Sequence, residues 1–107
     1  MKADIAQFEF IDKKLRLIVS WLELETGLEF TATSLFRIGD KGVHGALPLR
    51  GMDLRMRSYM VGKVFESIIN DKWLYDPDRP DKNCAKLHGN GNNLHLHLQV
   101  HPNTKRR

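Results

Sequence analysis

The chain has 107 residues, 41% of them apolar and 28% charged, which fits one globular domain with a modest core and excludes a second core. No apolar run approaches the roughly 20 residues that cross a bilayer, and the single cysteine, Cys84, excludes an internal disulfide framework and fits a reducing compartment. The net charge of +4 rests largely on Lys105, Arg106 and Arg107, so residues 103–107 are expected to form a flexible basic tail and nucleic acid is disfavoured as a partner.

The opening "MKADIAQFEF" has Asp4, Gln7 and Glu9 where an export signal needs an apolar stretch, so no such signal is expected. Ile11, Leu15, Ile18 and Leu22 then recur at helical spacing between Lys13, Lys14, Arg16 and Glu23. The spacing predicts an amphipathic helix over residues 10–25, with Gly27 as its stop. Residues 29–37, "EFTATSLFR", read as a strand. The glycine-rich stretch "IGDKGVHGALPLRG" is a loop long enough to be functional.

In "GMDLRMR", Met52, Leu54 and Met56 alternate with Asp53, Arg55 and Arg57, as in a strand with one polar face. Ser58 suits the N-cap of a second helix, whose buried stripe is expected to be Val61, Val64, Phe65, Ile68 and Ile69, ending near Trp73. "YDPDRPDKN" is a loop, "CAKLH" a short strand and "GNGNN" a turn. Residues 94–101 form the last strand. Leu94, Leu96, Leu98 and Val100 share one face; His95, His97, Gln99 and His101 share the other. This element order predicts an α+β fold, a small and mainly antiparallel sheet backed by two helices, in one domain over residues 1–107.

Three of five histidines thus line one side of one strand, where a solvated face would carry Lys, Glu or Thr. Imidazole is the commonest protein metal ligand and moves protons near neutral pH. His44 in the glycine-rich loop and Asp53 on the neighbouring polar face add a histidine and a carboxylate. Two histidines and one carboxylate make a three-ligand zinc set with a fourth position open, as a hydrolytic site requires.

The segments "TSLFR", "VHGALPLRGMDLR", "INDKW" and "LHLHLQV", in that order, resemble the M15 zinc peptidases. These are D-alanyl-D-alanine carboxypeptidases and L-alanyl-D-glutamate endopeptidases, of a superfamily that includes the hedgehog signalling domain. The likeness is greatest to small phage and prophage members. The resemblance implies a hedgehog- or DD-peptidase-like fold, Zn2+ held by His44, Asp53 and His97, proton transfer by His95, and Arg37 on the developing oxyanion. Apart from the resemblance, His88, Gln99 and His101 are expected around the site in supporting or surface positions. The resemblance also implies a peptidoglycan peptide as substrate. The expected setting is the cytoplasm of an infected or lysogenic bacterial host, with action on the wall after release or as part of a virion.

Two departures from the family pattern stand out. Eight residues separate His44 from Asp53 where the family has six, and Leu94 occupies the position of the usual Asp or Glu base. The second departure motivates an alternative of another class: a catalytically inactive structural or interaction protein, such as a virion component, that keeps the fold and the metal site.

Overall fold

The structure, a computed structural model, describes residues 1–2, 10–36 and 48–107. Its elements run α1 (Lys13–Thr26), β1 (Ala32–Phe36), β2 (Gly51–Arg55), α2 (Tyr59–Lys72), β3 (Trp73–Leu74), β4 (Ala85–His88), a 3-10 turn (Gly91–Asn93), β5 (His95–Gln99) and β6 (Lys105–Arg106). The four longer strands form one antiparallel sheet in the order β1-β2-β5-β4. This is the small α+β fold that the alternating and helical patterns predict.

Local chemistry sets the helix ends. The Asp12 carboxylate accepts from the Lys14 amide at 2.8 Å, satisfying one of the unpaired donors of the first turn of α1. Gly27 closes α1 with φ at 70°, a conformation in which a Cβ would be strained, and its N–H donates to the Glu23 carbonyl. Ser58 Oγ accepts from the Val61 amide at the start of α2.

The core joins Leu15, Ile18 and Leu22 of α1 to Met52 and Leu54 of β2, Phe65 and Ile69 of α2, and Leu96 and Leu98 of β5. Each such side chain contributes about 1.5–3 kcal/mol when fully buried. Both helices and one face of the sheet supply this cluster. The opposite sheet face carries the polar phases of β2, β4 and β5, together with Phe36 of β1.

Three expectations are corrected. Val61 and Val64 are exposed, and α2 buries Gly62, Phe65 and Ile69 instead. The cause is a close approach: a Cβ on Gly62 would lie 2.7 Å from Leu87 Cδ1, so the helix docks through its glycine and the valines turn outward. The basic tail is also not free. Lys105 and Arg106 pair with Leu74 and Trp73, and Thr104 is buried with its hydroxyl donating to the Tyr75 carbonyl at 2.6 Å. The Arg106 guanidinium lies 5.2 Å from the Trp73 ring centroid, and Arg107 Nε donates to the Asn70 carbonyl. The last strand is shorter than expected, ending at Gln99, and His101 packs on Tyr75 beyond its end.

The outer edge of β4 is covered by side chains of α2. The Asn70 amide donates to the Ala85 carbonyl and accepts from the Ala85 N–H, both at 3.0 Å, and Glu66 Oε2 accepts from the Leu87 N–H. These groups take the place of a further strand and block edge-to-edge pairing there. No helix among the described residues is long and apolar enough to cross a membrane.

Candidate metal centre

Strand register assembles the site. Asp53 of β2 stands directly opposite His97 of β5, and Arg55 opposite His95. On the far side of β5, His95 faces His88 and His97 faces Lys86. All of these belong to the polar phase, so the leucine phase that fills the core also turns the imidazoles to the open face.

Asp53 Oδ1 lies 3.1 Å from His97 Nδ1. On its other side the ring presents Nε2 to Gln99 Oε1 at 3.3 Å. The Gln99 amide is itself oriented, because its NH2 donates to the Asn83 carbonyl at 2.8 Å and so leaves the oxygen toward His97. Phe36 of β1 stacks on the His97 ring, with centroids 5.2 Å apart and an interplanar angle of 23°. His97 is thus fixed on three sides.

His95 is held differently. Its Nδ1 lies 2.8 Å from the Asn93 carbonyl, an acceptor only, so Nδ1 carries the proton and donates. In the neutral ring this tautomer leaves the Nε2 lone pair available as a base. The His88 ring stacks on His95 at 5.7 Å and meets His97 edge-on at 6.2 Å. Burial against its neighbours, aided by the Lys86 charge and the other two histidines, lowers the His88 pKa below its ordinary value.

The pair lies between two hollows. One, of about 540 Å³, is bounded by Glu66, Asn70, Lys86, His88, His97 and Gln99. The other, of about 400 Å³, is bounded by Thr33, Ser34, Asp53, Arg55, Asn93 and His95. An extended ligand lying across the face would meet the Asp53 and Glu66 carboxylates, three imidazoles and the Arg55 and Lys86 cations.

Two donors of the expected zinc set are therefore adjacent. Ligand atoms on a tetrahedral zinc at bond lengths of about 2.0–2.2 Å stand about 3.3–3.5 Å apart, close to the Asp53–His97 separation. An ion between them would replace the Nδ1 proton, and Nε2–H would then donate to Gln99 Oε1, the outer hydrogen bond that orients a ligating histidine. Two of the three expected donors, Asp53 and His97, are thus side by side among the described residues. His44 and Arg37 lie outside the described residues. Among the described residues, no three His, Cys, Asp or Glu side chains converge on one point.

The sequence did not single out Phe36 as the plate under His97 or Asn83 as the group that orients Gln99. The structure pairs Asp53 with His97, and Arg50 lies 3.9 Å from Asp12. No family model matches the chain, and no curated protein or solved structure matches it either.

Proposed function

We propose that the chain is a zinc-dependent peptidase of the M15 type that hydrolyses a peptide bond in bacterial peptidoglycan. The observation that carries this reading is the Asp53–His97 pair, two ligand-competent atoms 3.1 Å apart on an open sheet face with the rear of the imidazole anchored. His44, Asp53 and His97 would hold the ion. When bound, zinc supplies a water of lowered pKa and polarises a carbonyl.

The chain's own residues do the rest. His95, locked as the Nδ1–H tautomer by Asn93, offers Nε2 to take up a proton and return it to the leaving amine. Arg37 is assigned to the developing oxyanion, where a fixed cation is among the larger catalytic contributions. The hollow holding Asp53, Arg55 and His95 is suited to a substrate carboxylate at Arg55. The setting we propose is a phage-infected host, with access to the wall after release or on a virion.

Zinc content of protein purified without added metal tests the reading. Wild type is expected to hold about one zinc per chain, and His44→Ala and His97→Ala are expected to lose it. Retention of zinc in both variants at the wild-type level would overturn the assignment. Release of amino groups from purified cell walls then tests the reaction.

One observation favours a second reading. Leu94 is buried, and its side chain offers no acid or base beside His95 and His97. A protein that binds zinc there, turns over no wall fragment and forms a stable complex with a virion component would be the inactive interaction protein instead.

A further inference from the structure

Charge is not spread evenly over the open face. The hollow beside His97 and Gln99 sets Glu66 and Asp81 against Lys82 and Lys86, so its fixed charges balance. On the other side of the Asp53–His97 pair they do not. The hollow that holds Asp53 and His95 also holds Arg55, and a third hollow, of about 500 Å³, is bounded by Arg55, Met56, Arg57, Gly91 and Asn92. Arg55 and Asn92 border both, so the two adjoin and form one trough. Among the described residues, Asp53 at the near end is the only acid that lines it, and the far end has two cations and none.

The strand explains this layout. Asp53 and Arg55 share the polar phase of β2, about 7 Å apart along the face. Met56 is buried, and Arg57 follows it where the chain leaves β2 for α2. Arg55 and Arg57 are exposed. Among the described residues neither pairs with a carboxylate, whereas Arg50, Lys63 and Arg79 each do. A guanidinium matches a carboxylate through two parallel N–H donors. Two such forks on adjoining hollows suit a ligand that carries two carboxylates.

We propose that Arg55 and Arg57 bind two carboxylates of an acidic peptide that runs along the trough from the Asp53–His97 pair. The placing of the cleaved bond at that pair rests on the zinc-peptidase reading; the affinity of the trough for acidic groups does not. The substrate class is then a peptide with its acidic groups on one side of the bond, and the charge-balanced hollow receives the other side.

Amide NMR titration of the intact chain in EDTA tests this with neither zinc nor turnover involved. The probes are capped tripeptides with glycine at the centre and two, one or no glutamates at the ends, glutamine filling the remaining places. The two-glutamate peptide is expected to bind about fivefold more tightly than the one-glutamate peptide, with shifts at Arg55, Arg57 and Asn92. Arg57→Gln should remove that advantage and leave the one-glutamate affinity unchanged, and Arg55→Gln should weaken both. Lys82→Gln, in the opposite hollow, should change neither. All three positions are exposed, so the fold is not at stake. Equal affinity for the three peptides, or an advantage that survives Arg57→Gln, overturns the site. An equal loss in Lys82→Gln overturns it too, by showing that net charge alone attracts the peptide. Displacement of the two-glutamate peptide by an equal concentration of inorganic phosphate overturns the peptide class. Zinc content is measured separately: a chain that holds no zinc yet keeps this discrimination supports the trough and loses only the peptidase reading.

Discussion

Asp53 and His97 are cross-strand partners, and the carboxylate of one lies 3.1 Å from the imidazole of the other on a face that remains open to solvent. Their side chains are about one-fifth exposed. A pair so placed contributes only about 0–1 kcal/mol to folding. On the zinc reading proposed above, the pair serves to hold the ion. Asp53→Asn keeps the shape of the side chain and weakens its affinity for a cation. The expected outcome is a melting temperature within a few degrees of wild type together with loss of bound zinc. Circular dichroism melts and elemental analysis of the same preparation check both. A large drop in melting temperature would mark the pair as a fold determinant.

Adjacent residues of β5 should differ sharply in what truncation costs. Leu96 is fully buried between the helices and the neighbouring strands. Leu96→Ala should cost about 2–5 kcal/mol, from lost transfer energy and the cavity left behind. His95 is only partly buried, and His95→Ala should cost less than about 1 kcal/mol. Urea unfolding midpoints of the two variants give the comparison. Equal losses would contradict the two-phase reading of the strand.

How far the sequence disclosed this structure depends on the range of the signal. The alternation of Leu94 to Val100 with its histidines is local, and it specified both the strand and the side on which each residue falls. The same holds for Met52, Leu54 and Met56. Strand alternation also implied that Asp53 could meet a histidine, but the register that sets it opposite His97 depends on pairing two segments far apart in the chain. The burial of Gly62 was not legible, because it depends on Leu87 arriving from another strand. Lys105 to Arg107 read as a tail because nothing in three consecutive cations announces a strand. Thr104, bound to the Tyr75 carbonyl, is what draws the segment in.

The covering of the β4 edge by Asn70 can be tested directly. Its amide replaces the two hydrogen bonds that a neighbouring strand would give Ala85, and Ala85 is buried. Asn70→Ala leaves an N–H and a carbonyl without partners, each at a cost of about 1–3 kcal/mol. Asn70→Asp retains the acceptor for the N–H but turns an oxygen toward the Ala85 carbonyl, so it should not rescue stability. Thermal melts of both variants are expected to lie well below wild type. A bared edge also predicts more aggregation on concentration, read by light scattering. Wild-type melting of Asn70→Ala would show that water or a neighbouring group satisfies the edge equally well.

Cys84 links burial to alkaline stability. Burial pushes its thiol pKa from 9.0 up to about 12, against weaker opposing effects of the Arg107 charge and a hydrogen bond with Thr104. Above about pH 9 the unfolded chain loses this proton while the native chain keeps it. The unfolded state then binds fewer protons, so folding stability falls as pH rises from about 9 toward 12. Tyr75, whose pKa burial also raises, acts in the same direction at the upper end of that window. The urea midpoint should therefore be lower at pH 10 than at pH 8, and Cys84→Ala should reduce the difference. The native thiol should also resist a maleimide at pH 8 and react promptly in urea, because a protonated and buried sulfur is a poor nucleophile. A midpoint that holds steady or rises between pH 8 and pH 10, or rapid labelling of the folded chain, would show that Cys84 is not sealed in the core.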